Sequence, residues 1–101
     1  MDREARSAVY AQAISTWGEK HQTMIAVEEM SELTKEICKI FRGKQDLIDL
    51  AEEIGDVAIM LEQLCQIYRV GELVEAYMDV KISRLQRRIA AVGGGAAHGE
   101  E

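Results

Sequence analysis

Two short acidic motifs contain the residues of this sequence best suited to chemistry. In the stretch AVEEMSELTKEICK, Glu29 and Glu32 are three residues apart, and in LAEEIGDVAIML the same spacing separates Glu53 and Asp56. Because residues i and i+3 are neighbours on one face of a helix, each motif can present two carboxylates together. Carboxylate oxygens are the ligands that hard divalent cations such as Mg²⁺ and Mn²⁺ prefer.

Helical geometry predicts that these carboxylates face the protein interior rather than water. At about 100° per residue, Glu29 lies within about 60° of Ala26 and Leu33, with Glu32 beside the same stripe. Glu53 likewise shares its sector with the apolar positions of its own helix, which are Leu50, Val57, Met60 and Leu64. In each doubled glutamate, the first residue is turned about 100° away and points outward.

Four converging carboxylates repel one another unless cations compensate them, and a buried unpaired carboxylate costs several kcal/mol. The faces concerned have few basic residues, so divalent metal ions are the better explanation. We therefore predict a site in which Glu29, Glu32, Glu53 and Asp56, on two adjacent antiparallel helices, hold Mg²⁺, with Mn²⁺ as a substitute. Such an ion leaves coordination positions open for phosphate oxygens and water.

Helices must position these motifs, and the sequence predicts four of them. There is no proline, glycines separate the segments, and Asp46 is a candidate N-cap. The predicted helices run from about Arg3 to Trp17, from Glu19 to Phe41, from Asp46 through to Gly71, and from Glu72 to Ala91. The predicted fold is an all-α, antiparallel four-helix bundle over residues 1–92, followed by a disordered tail over residues 93–101.

The fourth predicted helix contributes positive charge. Lys81 shares a face with Val74, Tyr77 and Leu85, and Arg84 lies to one side. Two interpretations remain open for Lys81. Its side chain extends past the apolar stripe into solvent, or it reaches the acidic cavity with Arg84 and neutralises a bound phosphate.

Composition limits the classes of partner. A chain of 101 residues with a net charge of −6 forms one small domain and does not suit a nucleic-acid backbone. No apolar run is long enough for a membrane span and the N-terminus is charged, so we expect a cytoplasmic protein without a membrane partner. A core this small favours completion by a partner chain. Cys38 and Cys65 are expected to be small buried residues in a reducing compartment.

Taken together, these motifs resemble those of the all-α nucleoside triphosphate pyrophosphohydrolases. That group includes MazG-like proteins, dimeric dUTPases and phosphoribosyl-ATP pyrophosphatase, and its shared pattern is E-x-x-E followed after a gap by E-x-x-D. Here the gap is twenty residues. The stretches EEMSELTKEICK, EEIGDVAIMLEQL and KISRLQRR resemble the compact MazG-like branch, and the similarity extends from about Trp17 to Arg88.

The resemblance implies Mg²⁺-dependent hydrolysis of an NTP or dNTP to the monophosphate and pyrophosphate by a homodimer or tetramer. It implies that Glu29, Glu32, Glu53 and Asp56 are the catalytic metal ligands, with Glu29 or Glu32 as the candidate base. It also implies substrate contacts, with Lys81 and Arg84 near the phosphates and with Trp17, His21 and Gln22 near the base. Some relatives carry asparagine where this chain has Asp79.

Several alternatives remain open at this point. In the first alternative, the chain is a catalytically silent helical module that dimerises or binds divalent cations. Within enzymes, dUTP and phosphoribosyl-ATP are alternative substrates. Trp17 is as well suited to the core as to a base, and Glu36 is either an outer carboxylate of the metal site or, as we expect, an exposed residue.

Overall fold

The computed structural model describes residues 1–93, and every regular element in this range is an α-helix. This confirms the predicted all-α class. Of the predicted tail, only Gly93 is described, as the last residue of a helix, and the rest lies outside the described residues. Within residues 1–93, no helix is long and apolar enough to cross a membrane. The helices are α1 (Arg3–Trp17), α2 (Glu19–Phe41), α3 (Leu47–Tyr68) and α4 (Gly71–Gly93).

The chain divides into two compact units. The first, Met1–Arg69, contains α1, α2 and α3, and the second begins at Val70 and contains α4. Within the first unit, α2 and α3 form the most extensive helix pair, and α1 contacts both of them. The four-helix bundle and its completion by oligomerisation stay predictions.

Local signals in the sequence set the boundaries of α1, α2 and α3 in the first unit. Gly18 alone separates α1 from α2, with a φ of 94° and its N–H bonded to the carbonyl of Ile14. At the end of α2, Gly43 adopts a φ of 75°, and Lys44 donates its N–H to the carbonyl of Lys39. This is the left-handed helix terminator that the sequence predicts there. Asp46 is the N-cap of α3, as predicted.

One predicted boundary is wrong, because α3 ends at Tyr68 instead of continuing to Gly71. Arg69 adopts left-handed backbone angles, with a φ of 55° and a ψ of 44°, and its N–H bonds to the carbonyls of Cys65 and Gln66. The left-handed residue at the end of α3 is an arginine and not a glycine, so the sequence contains no glycine that would have predicted this boundary. The next helix, α4, accordingly begins at Gly71 rather than Glu72.

The core of the described chain is small. Its buried apolar residues are Tyr10, Ala26, Val57, Met60 and Ile67. Helical spacing in the sequence predicts an apolar face of α1 that contains Val9 and Trp17, but the buried residue is Tyr10, and Val9 and Trp17 are exposed. The expectation of two buried thiols is wrong for Cys38, which is exposed, and Cys65 is half-buried. A core of this size leaves many large apolar side chains in contact with water.

Candidate functional site

The predicted site lies on α2 and α3, which run antiparallel. Near the start of α2, the Gln22 amide nitrogen donates to the Gln63 Oε1 atom near the end of α3, over 2.8 Å. Glu29 lies seven residues after Gln22, and Asp56 lies seven residues before Gln63. Since seven residues are almost two helical turns, this register places Glu29 opposite Asp56.

The same register brings the two acidic motifs together. Three residues beyond Glu29 is Glu32, and three residues before Asp56 is Glu53, so these two glutamates also face each other across the pair. Each carboxylate of one motif therefore lies opposite a carboxylate of the other. The expectation that the two motifs occupy adjacent antiparallel helices agrees with this arrangement.

Exposure follows the predicted orientation for the doubled glutamates. Glu29 and Glu53 are half-buried, whereas Glu28 and Glu52, which precede them, are exposed. Asp56 is half-buried as well. The prediction that the carboxylates face the interior is wrong for Glu32, which is exposed and lies at the rim of the cluster. We call Glu29, Glu32, Glu53 and Asp56 the acidic cluster.

The carboxylates of the acidic cluster destabilise one another's charged forms. Burial raises the pKa of Glu29, and hydrogen bonding to Asp56 raises it further. The negative charges of its three neighbours act in the same direction, namely those of Asp56, Glu53 and Glu32. Proximity of like charges in a half-buried place favours either a proton or a cation there.

Glu53 has the least satisfied position in the cluster. Burial raises the pKa of Glu53, and four neighbouring carboxylates raise it further: Asp56, Glu32, Glu52 and Glu36. Its Oε2 atom is buried, and the described part of the chain gives it no hydrogen-bond partner. A buried carboxylate oxygen without a partner suits a donor from outside the chain, such as a metal ion or a proton.

Glu36 extends the acidic face by one turn, and the expectation that it is exposed is wrong. It is buried, with 9% of its surface accessible. Its Oε2 atom accepts a hydrogen bond from the Lys39 ammonium over 2.9 Å, within α2. This hydrogen bond and the charge of Glu36 raise the pKa of Lys39. The buried carboxylate of Glu36 thus has a cation beside it.

The side chains of the acidic cluster do not form a preorganised metal-coordination site. Among residues 1–93, no group of three or more His, Cys, Asp or Glu side chains is arranged to hold a metal ion. The chemistry of the side chains suits a hard cation nonetheless, because all four donors are carboxylates and one oxygen of Glu53 lacks a partner. Whether these residues are metal ligands stays a prediction.

The remaining predicted substrate residues fall into different environments. Trp17 is 60% exposed, which excludes it from the core of this chain. Gln22 is buried with 5% of its surface accessible, and its carboxamide already joins α2 to α3. Lys81 and Arg84 are exposed on α4, in the second compact unit. Their contacts with a substrate stay predictions.

Two residues of this region were missed by sequence reasoning. The first is Gln63, which is 4% exposed and hydrogen-bonds to Gln22. It lies three residues after Met60 and four before Ile67, both of which are buried. That position within an apolar stripe was the available signal. Lys39 was missed as the partner of Glu36, and its spacing of three residues was the signal there.

Comparisons with known proteins give no relative for this chain: no protein-family model, no curated protein and no solved structure matches it.

Proposed function

We propose that this protein is a Mg²⁺-dependent nucleoside triphosphate pyrophosphohydrolase, a hydrolase acting on acid anhydrides. It converts an NTP or dNTP to the monophosphate and pyrophosphate, in the cytoplasm, as part of clearing the nucleotide pool. The observation that carries the proposal is the convergence of the acidic cluster from two helices, where the buried Oε2 atom of Glu53 has no hydrogen-bond partner among residues 1–93.

Glu29, Glu32, Glu53 and Asp56 hold Mg²⁺ or Mn²⁺ in this proposal. Such an ion, when held by these residues, would supply positive charge to the phosphates and a more acidic water. Glu29 or Glu32 orients the attacking water or accepts its proton. Lys81 and Arg84 contribute positive charge to the phosphates, and Trp17, with its exposed ring, stacks against the base.

We also propose that the protein is a homodimer, with a tetramer built from dimers as the larger alternative. Support comes from α4, in which no side chain is buried. Five of its large apolar residues recur at spacings of four and three and are all exposed: Met78, Ile82, Leu85, Ile89 and Val92. We call these residues the α4 stripe. Such a stripe is typical of a helix that packs against another helix.

A second candidate function has its own support. In it, the chain is a catalytically silent helical module that dimerises or binds divalent cations. The exposed α4 stripe favours the dimerisation part. Catalysis and metal binding must therefore be measured separately.

The deciding experiment is a product assay. Purified protein is incubated with MgCl₂ and a panel of canonical and modified NTPs and dNTPs, including dUTP and phosphoribosyl-ATP, and monophosphate and pyrophosphate are quantified. Glu53→Ala is the test variant and Glu52→Ala is its matched control, since Glu52 is adjacent but exposed. Metal-dependent products that disappear only with Glu53→Ala support the proposal. Intact nucleotides, with a melting temperature that Mg²⁺ still raises, support the silent module.

A further inference from the structure

A chain of polar side chains crosses the interior between α2 and α3. The His21 Nδ1 atom lies 2.9 Å from Gln22 Oε1, which as an amide oxygen can only accept, so the imidazole donates. Gln22 donates to Gln63 over 2.8 Å, and Gln63 Nε2 in turn lies 3.6 Å from the Met60 sulfur. Both carboxamides are buried. Buried amides of this kind are costly unless they are paired.

Apolar packing alone does not determine how α2 and α3 are aligned along their axes. On α3, the buried or half-buried apolar residues recur at spacings of three and four: Val57, Met60, Leu64 and Ile67. If α2 moved along its axis by about one turn, its apolar residues would still face apolar residues of α3. The two carboxamides break this equivalence, because such a slide separates the buried Gln22 amide nitrogen from the buried Gln63 amide oxygen that accepts its hydrogen bond.

We propose that the Gln22–Gln63 pair fixes the register of α2 against α3 and thereby positions the carboxylates of the acidic cluster opposite one another. Seven residues separate each glutamine from the carboxylate that it aligns, Gln22 from Glu29 and Gln63 from Asp56. The glutamines are positioning residues and act through the helices. Setting helix register is the best-attested role of a buried polar residue. The consequence for metal affinity rests on the function proposed above, whereas the register itself does not.

The chain carries its own probes for this register. Its two cysteines, Cys38 on α2 and Cys65 on α3, are both free thiols. In the observed register, Cys38 on α2 lies opposite Leu47 on α3. Leu47 is eighteen residues before Cys65, so at 1.5 Å per residue the two thiols are offset by about 27 Å along the helix axes. A slide of one helical turn changes this offset by about 5.4 Å. Both values suit distance measurement between two spin labels by pulsed electron resonance.

The test compares wild type with the variant Gln22→Leu/Gln63→Leu, which replaces both carboxamides by apolar groups of similar size. Three quantities are measured: the label-to-label distance, the melting temperature without metal, and the affinity for Mn²⁺ alone. Labelled chains are mixed with a large excess of unlabelled protein, so that only distances within one chain contribute. Activity is not the measured quantity, since Gln22 is also a predicted substrate contact.

We expect the variant to keep or raise the melting temperature while gaining a second distance population displaced by about one turn. Its Mn²⁺ affinity should fall by at least about tenfold, as is common when residues that orient metal ligands are lost. Tyr68→Phe is the control. It removes the 3.1 Å hydrogen bond between Thr23 and Tyr68, which also joins α2 to α3 but is exposed, and it should leave distance and affinity unchanged.

A distance distribution unchanged in Gln22→Leu/Gln63→Leu overturns the proposal, whatever happens to Mn²⁺ affinity. If that variant does not fold, Gln22→Met/Gln63→Met replaces it, with unbranched side chains closer to glutamine in shape. If wild type itself fails to bind Mn²⁺, the proposed function is wrong, and the register proposal is still decided by the distance measurement. The two failures are thus distinguishable.

Discussion

The α2–α3 pair and α4 differ in which side chains they bury and which they expose. In the pair, polar groups are enclosed: two carboxamides are buried, and three carboxylates of the acidic cluster are half-buried. In α4, no side chain is buried, and the apolar residues of the α4 stripe are exposed. Each arrangement costs free energy in an isolated chain, since buried charge and exposed apolar surface are both unfavourable. The difference teaches that the two regions place their unfavourable groups differently, as half-buried charge in the pair and as exposed apolar surface on α4.

The largest effect should come from removing the least satisfied carboxylate. Glu53→Gln keeps the size of the side chain but removes a predicted metal ligand, and we expect pyrophosphate release to fall by at least about a hundredfold. Its melting temperature without metal should stay equal or rise, because a half-buried charge without a partner is lost. The adjacent exposed residue provides the control, Glu52→Gln, with activity near that of wild type. Equal activity of both variants would remove Glu53 from the site.

Charge placed on α4 should separate copies of the chain. In the proposed homodimer, Leu85→Asp puts an unpaired carboxylate into the α4 stripe, and we expect the dissociation constant of the dimer to rise by at least about tenfold. Sedimentation over a range of concentrations measures this. Glu72→Gln, also on α4 but outside the stripe, should sediment like wild type. A wild-type protein that is monomeric at all concentrations would contradict the proposed dimer.

Acidity should stabilise the metal-free protein. The folded-state pKa values of Glu29 and Glu53 are raised above their ordinary value of 4.5. Between that value and the raised ones, the folded chain binds more protons than the unfolded chain. The free energy of unfolding therefore falls as pH rises through this window. Urea unfolding in the presence of a chelator, from about pH 4.5 to about pH 7, should show this slope, and Glu29→Gln/Glu53→Gln should flatten it.

The smallest effect should come from Gly55, between Glu53 and Asp56. Apart from its chain neighbours and the backbone of its own helix, no described atom lies within 4 Å of the place that a Cβ atom would occupy, so this helical glycine is tolerated rather than needed for a close approach. Gly55→Ala should raise the free energy of unfolding by about 0.5–1 kcal/mol, as urea unfolding would show. A loss of activity alongside that gain would indicate that a substrate passes close to this position.

Most signals that act within one helix were read correctly from the sequence, and the end of α3 at Tyr68 is the exception. Gly18, Gly43 and Asp46 place three helix boundaries through backbone angles and capping, and the angular position of Glu53 predicted its inward orientation. Each of these depends only on residues a few positions away.

Features that depend on contacts between helices were not read correctly. The burial of Glu36, the exposure of Cys38 and the choice of Tyr10 as the buried residue of α1 all follow from how the helices pack. The acidic cluster shows both kinds of outcome. The inward orientation of Glu29, Glu53 and Asp56 was predictable, whereas Glu32 is exposed. The alignment of the two motifs requires the contact between Gln22 and Gln63, and the sequence alone does not indicate that these two glutamines meet.

The equal spacing of Gln22 from Glu29 and of Gln63 from Asp56 has a consequence for how this protein can change during evolution. One residue inserted inside either seven-residue interval would turn the carboxylate by about 100° and shift it by about 1.5 Å relative to its partner. Length changes in the loop of residues 42–46 alter neither interval. Homologous chains should therefore vary in length between the two helices and keep both intervals constant.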